Sequence, residues 1–312
     1  MAKTKVFIDG SVGTTGLRIH ERLSNRPDVE LITIDEEHRK DLIYRKEAIE
    51  SADAAFLCLP DSASIEIVDA LGNSPVKILD TSTAHRTNPD WAYGFPELSQ
   101  AHFDKLMASN RIAVPGCHAS GFCAIVKPLV SSGIIAPDYP IVATSVTGYS
   151  GGGKKMIAEY ESADRDFEFS SPRQYGLTQK HKHLPEMKVI CGLDFEPCFS
   201  PIVADFYSGM TVSIPLNARL LTKKLSVKDI HEVFATYYAG KKLVTVKDFG
   251  MDGLLSTNSK SGKDSMEIIV TGNDDRILIA STFDNLGKGA SGAALQCFNL
   301  ISGADECEGL VL

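Results

Sequence analysis

Cys117 stands in "VPGCHASGF", between the strand-stopping pair Pro115–Gly116 and a helix-compatible stretch, "HASGFCAIVKPLV". At a helix start, open backbone amides and the positive end of the helix dipole favour a thiolate over the thiol, whose free pKa is ~8.5. A thiolate so placed can attack an activated acyl group and split a hard reduction into two easier steps. Cys58 and Cys123 sit inside an apolar strand and an apolar helix and read as packing. A nucleophilic thiol needs a proton acceptor and donor, and "HKHLPEM" supplies His181, His183 and Glu186 within six residues. In an extended segment His181 and His183 project to the same side and face one pocket. The same HxH spacing suits a metal, but no further ligand beyond Glu186 is evident and no metal site is expected. His118, the first residue after the thiol, is read as pointing to solvent.

A second kind of chemistry is carried by glycines. "FIDGSVGTTG" places Gly10, Gly13 and Gly16 between a first strand and a first helix. A tight turn, a backbone free of Cβ and a helix N-terminus together offer amide hydrogens to a pyrophosphate. The spacing is GxxGxxG, not the usual GxGxxG, so its place after the first strand carries the reading. The second strand is expected to end at Asp35, and "EEHRKD" follows. An acid there favours NAD, whereas Arg39 and Lys40 suit the 2′-phosphate of NADP; both readings stay open. "TGYSGGGKK" (147–155) is another glycine-rich loop, able to hold a phosphate or a nicotinamide, or simply to join strand and helix. Lys288, among the small residues of "DNLGKGASGAALQ", is a further candidate beside a cofactor.

The elements that must position these residues fall into two textures. "KVFID", "VELITI", "AAFLCLP" and "VKILD" are apolar runs alternating with helical stretches such as "TTGLRIHERLSN" and "SASIEIVDALGN". That alternation is the pattern of a parallel sheet covered on both faces. Beyond residue 117 longer strands dominate: "PIVATSVTGYS", "FSPIVADFYSGMTVSIPL", "KKLVTVKDF", and a hairpin turning at Gly272–Asp275. Helices are expected at about 153–163 and in "SVKDIHEVFATYYAG", giving an α+β domain, and a small-residue helix closes the chain. The fold class is therefore α/β, a Rossmann-like domain followed by an α+β domain.

The 312 residues are 43% apolar and 23% charged, enough for one large domain or two ordinary ones. A net charge of −8 argues against a general phosphate-backbone binder, so no nucleic-acid partner is expected, though a local basic pocket for a small anion stays open. The start of the chain lacks the apolar stretch and small-residue cleavage site of a signal peptide, so none is expected, and no apolar run approaches the ~18 residues of a membrane span. Seven cysteines, odd in number and without a CxxC pair, suggest a reduced cytoplasmic protein without disulfides or structural zinc.

Taken together, "GSVGTTG", "LCLPDSAS", "LDTSTAHR", "YGFPEL", "VPGCHASGF", "GYSGGGK", "HKHLPEM" and "NLGKGASGAALQ" occur in an order that spans nearly the whole chain. This ordered set resembles the shorter form of the N-acetyl-gamma-glutamyl-phosphate reductase family, in the aspartate-semialdehyde and glyceraldehyde-phosphate dehydrogenase-like superfamily. The resemblance implies NADPH-dependent reduction of an acyl phosphate to N-acetylglutamate semialdehyde in arginine biosynthesis, through a thioester on Cys117. It implies acid–base help from His183 in preference to His181, with Glu186 orienting a histidine or touching substrate. The cofactor contacts it implies are Gly10, Gly13, Thr14, Thr15, Gly16, Arg39, Lys40, Pro60, Ser82, Gly152 and Lys288. Residues 1–116 with 285–312 would form the nucleotide domain, the last helix returning to it. Residues 117–284 would form the catalytic, substrate and oligomerisation domain of a cytoplasmic homodimer or homotetramer. Longer members carry "PGCYPT" and "SGAGR" where this chain has "PGCHASGF" and "SGGGK", and an arginine near Ser208. Substrate anchoring is therefore left to the candidates Arg86, Arg111, Lys154 and Lys155. The alternatives are an aspartate-semialdehyde dehydrogenase-like reduction of another acyl phosphate, and a non-catalytic nucleotide-binding sensor.

Overall fold

Residues 3–312 are described by a computed structural model. The chain folds as two units: residues up to 115 with 290–310, and 116–289 with 311–312.

The first unit opens with β1 (Thr4–Asp9), α1 (Thr14–Ser24), β2 (Val29–Ile32), α2 (Leu42–Glu50), β3 (Ala54–Leu57), α3 (Asp61–Leu71) and β4 (Lys77–Asp80). β5 (Ala92–Tyr93), α4 (Gln100–Ala108) and β6 (Arg111–Ala113) complete its run. All pairings are parallel, in the order β2-β1-β3-β4-β6-β5. The chain leaves β1 for β2 on one side and returns to β3 on the other. The strand order thus reverses at β1, the point where such sheets bind ligands beyond their carboxyl ends. One apolar cluster, with Val6, Phe56 and Leu79, covers one face; another, with Phe7, Leu57 and Ile78, covers the other. Burial on both faces explains why these strands read as continuous apolar runs. β2 stops at Ile32, three residues short of the expected Asp35. α2 had no clear apolar spacing to announce it; Asp41 caps it by accepting the Ile43 N–H at 2.9 Å.

The second unit begins with α5 (Cys117–Ser131), then β7 (Val142–Gly148), α6 (Gly153–Glu161), β8 (Arg173–Gln174), α7 (Leu184–Cys191) and β9 (Cys198–Ala204). It continues through β10 (Met210–Asn217), α8 (Val227–Tyr237), β11 (Val244–Val246), β12 (Met266–Gly272) and β13 (Arg276–Phe283). The sheet is mixed, ordered β11-β12-β13-β10-β7-β9-β8. The stretch expected as one long strand at 199–216 is two, β9 and β10, both paired to β7 from opposite sides. The hairpin forms as expected: Gly272 has φ +102, and the Asn273 side chain accepts the N–H groups of Asp275 and Arg276. The final helix, α9 (Gly292–Ser302), belongs to the first unit, where Ala294, Leu295 and Phe298 join its core.

Candidate active site

Cys117 is the first residue of α5, and its N-cap is Gly116, which has no side chain to cap the helix. Two contacts set where this helix begins. Glu186, in the first turn of α7, accepts the Gly116 N–H at 2.8 Å. Gly121 allows α5 to lie directly on the sheet, since a Cβ there would come within 2.6–2.7 Å of Val212, Phe283 and Ser281. The sulfur-bearing residue is partly exposed, whereas Cys123 is fully buried. Burial pushes the Cys58 thiol up to about 12, so it stays protonated.

The histidines gather around His118, the residue after this thiol. His181 and His183 lie in a turn, not in the expected extended segment, and His183 is the N-cap residue of α7. Their rings nevertheless meet, with centroids 4.8 Å apart and planes nearly perpendicular. The His183 backbone N–H donates to His181 Nδ1 at 3.2 Å, which leaves the ring proton of neutral His181 on Nε2. Burial, with Lys182 adding a smaller effect, pushes His181 down to about 4. His118 does not point to solvent. It is 3% exposed, because α5 turns that side chain inward against Phe199 and both other histidines. Its Nε2 is 2.6 Å from the Tyr175 hydroxyl and its Nδ1 2.7 Å from Ser145 Oγ. Burial first, then His181 and Lys182, push His118 down to about 3. Tyr175 is pushed up by burial and, secondarily, by negative charge on Cys117.

A strap after β13 closes beside the thiol. A Cβ on Gly289 would lie 3.0 Å from the Cys117 Cβ, so backbone passes immediately next to the nucleophile. Asp284 holds this strap: its carboxylate accepts N–H groups from Leu286, Gly287 and Gly262 and the Ser208 hydroxyl, at 2.6–2.9 Å. Lys288 lies within it, 1% exposed.

In the first unit, the glycine loop forms a cradle. Gly10 has φ +82 and a Cβ there would run into the Cys58 carbonyl, while a Cβ on Gly16 would strike the Gly10 carbonyl. Thr14 and Thr15 are the first residues of α1, whose N-cap, Gly13, offers no side chain to its amides. A cavity of about 640 Å³ brings together Gly10, Arg39, Lys40 and Pro60; Asp9, Glu36 and Glu66 also line it, and Arg39 pairs with Glu36 at 3.2 Å. A cradle that excludes Cβ atoms, an open helix N-terminus and two cations fit a dinucleotide phosphate. Ser82 hydrogen-bonds Asp80 through both hydroxyl and N–H. Gly152 and Lys288 belong to the second unit.

The other candidates are differently engaged. Arg111 donates to four backbone carbonyls, and Arg86 to those of Val114 and Thr81, so both tie loops together. Lys154 and Lys155 are exposed on α6. Sequence reasoning did not single out Tyr175 or Ser145. Neither stands in a local pattern, and only the pairing of β8 with β9 and of β9 with β7 brings them to His118. It also missed a buried pair at the cavity wall, where Arg45 Nε donates to Asp9 at 2.8 Å. Burial raises the Asp9 carboxyl against the opposing pull of that arginine. Among the described residues, no helix is long and apolar enough to cross a membrane, and no group of three or more His, Cys, Asp or Glu is arranged to hold a metal ion.

Known proteins resemble both units. Residues 5–106 match the family model of the semialdehyde dehydrogenase NAD binding domain, and residues 117–285 that of the semialdehyde dehydrogenase dimerisation domain. N-acetyl-gamma-glutamyl-phosphate reductase 2 of Nostoc sp. is 43% identical, covering 99% of this chain and all of its own. The N-acetyl-gamma-glutamyl-phosphate reductase of Sinorhizobium medicae is also 43% identical, covering 97% of this chain and 100% of its own. Among solved structures, aspartate semialdehyde dehydrogenase II of Vibrio cholerae, complexed with ASA, superposes with a TM-score of 0.72 at 15% identity, covering 97% of this chain and 99% of that one. The Candida albicans aspartate semialdehyde dehydrogenase with NADP gives 0.67 at 16% identity, with 96% and 99% covered. At such identities these two structures show the fold. The two near-full-length relatives and both family models show more: the chain belongs to the N-acetyl-gamma-glutamyl-phosphate reductase family of semialdehyde dehydrogenases.

Proposed function

We propose that this chain reduces N-acetyl-gamma-glutamyl phosphate to N-acetylglutamate 5-semialdehyde, in the cytoplasmic synthesis of arginine, through a thioester on Cys117. The observation that carries this reading is a partly exposed thiol at a helix N-terminus without a side-chain cap, followed by His118, whose ring packs against those of His181 and His183. Helix amides and dipole favour the sulfur anion. Its bond to the acyl carbon forms as the carbon–oxygen bond to phosphate breaks, and phosphate leaves with the electron pair. His183 accepts the thiol proton and returns it to the departing phosphate. His181 is fixed as an Nε2 donor by the backbone N–H on its Nδ1, so it suits hydrogen bonding to the developing oxyanion. A reduced nicotinamide nucleotide held at the glycine cradle would supply a hydride. On hydride addition to the thioester carbon, the carbon–sulfur bond breaks and the Cys117 thiolate is regenerated with the aldehyde.

Gly10, the first-turn amides of α1 and Pro60 would hold the dinucleotide. Arg39 and Lys40 at the cavity support NADPH over NADH, because a 2′-phosphate adds negative charge where two cations sit. Run in reverse, with NADP and phosphate, purified protein is expected to turn over N-acetylglutamate semialdehyde well above aspartate semialdehyde, and faster with NADP than with NAD. Activity confined to aspartate semialdehyde would overturn the substrate assignment. Cys117→Ser is expected to lower turnover by at least about 10³-fold while titrations with NADPH remain unchanged; a variant of near-normal activity would overturn the thioester.

A further inference from the structure

Gln179 is, among the described residues, the one non-glycine whose backbone lies in the left-handed region, at φ +55. A residue with a Cβ resists that conformation, so something must hold it there. Close packing does not, because Gln179 is exposed. Its carboxamide does: Nε2 donates to the Phe199 carbonyl at 2.7 Å, and Oε1 accepts the Phe199 N–H at 2.9 Å.

The register of the sheet says what these two bonds replace. β8 pairs with β9 as Arg173 on Val203 and Gln174 on Ile202, and the Tyr175 N–H still reaches the Pro201 carbonyl at 3.0 Å. Carried two residues further, this antiparallel ladder would set Leu177 opposite Phe199, to exchange N–H and C=O with it. The chain instead leaves the sheet at Gly176, which has φ +63, and the Gln179 N–H closes a turn on the Gly176 carbonyl at 2.9 Å. The carboxamide carries the same donor and acceptor as a peptide group, and it supplies the missing rung. Beyond this turn His181 packs over Phe199, ring centroids 5.3 Å apart, and against the rings of His118 and His183. The Phe199 ring, 1% exposed, packs on His118 as well.

We propose that Gln179 is a positioning residue for the reaction: its two bonds to Phe199 hold the strained turn that delivers His181 to the histidine cluster. The inference rests on the reading of His181 as a donor to the developing oxyanion, and deepens it. One residue of β9 then fixes both parts of the arrangement, its backbone the turn and its ring the imidazole. Glycine would adopt this φ without strain, so what glutamine adds is its carboxamide.

The test is the NMR titration of the His181 ring in Gln179 variants of the intact chain. The titratable groups facing that ring are His118 of α5, Tyr175 after β8, and Lys182 and His183 of its own turn, and the variants alter none of them. In the wild type the ring stays neutral down to about pH 4, because burial and, less, Lys182 disfavour its charged form. Gln179→Gly relieves the strain but removes the carboxamide, and the His181 midpoint is expected to rise by about one unit or more as the ring gains water. Gln179→Asn, whose amide falls one methylene short of Phe199, is expected to behave alike. In both variants kcat is expected to fall about tenfold or more. Continued protection of the buried Cys123, Cys191 and Cys297 from iodoacetamide verifies that each variant is folded. Wild-type His181 midpoints in both variants would overturn the latch, and a shifted midpoint with unchanged kcat would overturn its part in the reaction. Because the titration reads the ring directly, the latch can fail while the thioester, which Cys117→Ser tests, stands.

Discussion

The histidines around Cys117 are buried, and burial gives their titration a sign. Unfolded, a histidine titrates near 6.5; folded, His118 lies at about 3 and His181 at about 4. Between these values the unfolded chain binds more protons than the folded one, so stability is complete above about pH 6.5 and declines as the medium is acidified. For His118 alone the loss at pH 5 is about 2 kcal/mol, from some 1.5 pK units at 1.36 kcal/mol each. Denaturant titrations at pH 7.5 and pH 5 should therefore show a smaller acid penalty in His118→Asn than in the wild type; equal penalties would contradict the buried, neutral ring. At this scale the thiol and the HxH pair were legible because each has a spacing that chemistry requires. The inward turn of His118 was not, since one residue at a helix start can face either way until something packs upon it.

The decisive element is α5, which sets the height of Cys117 above the sheet. Gly121→Ala sets two effects against each other. Alanine favours a helix interior by about 1 kcal/mol, but its methyl would come within 2.6–2.7 Å of three side-chain atoms from β10 and β13. Overpacking of that kind costs about 1–3 kcal/mol, so the clash prevails and α5 lifts. Calorimetry should show a lower Tm, and kinetics a kcat reduced at least about tenfold, since displacing a reacting atom by 1 Å already costs more. Unchanged Tm and kcat would mean that α5 does not rest on the sheet through Gly121. The helix itself was plain in the sequence, as were the β1–α1 glycine turn and the β12–β13 hairpin. The break between β9 and β10 was not, because an apolar run does not reveal that its halves flank a third strand.

At the scale of the molecule, two units divide the work: a parallel sheet with a glycine cradle, and a mixed sheet that carries the thiol. Residues 117–285 match a family model described as a dimerisation domain. The full chain, 33.8 kDa per copy, is expected to sediment as a dimer or tetramer at micromolar concentration. A single monomeric species there would refute self-association. The net charge of −8 does not prevent binding of anionic ligands, since Arg39 and Lys40 line one cavity, although Asp9, Glu36 and Glu66 line it too and Arg39 pairs with Glu36 at 3.2 Å.

By itself the sequence determined the strand–helix alternation, the glycine cradle and a cysteine at a helix start, because each is written in residues a few positions apart. Only the tertiary structure decided which distant groups meet the thiol's neighbours. Ser145 and Tyr175 lie 27 and 57 positions from His118, and Glu186 lies 70 from Gly116. The register of β8 on β9 and of β9 on β7, and the seating of α5 through Gly121, bring them together. Local periodicity says which face of a strand is apolar; it does not say which strand will lie beside it.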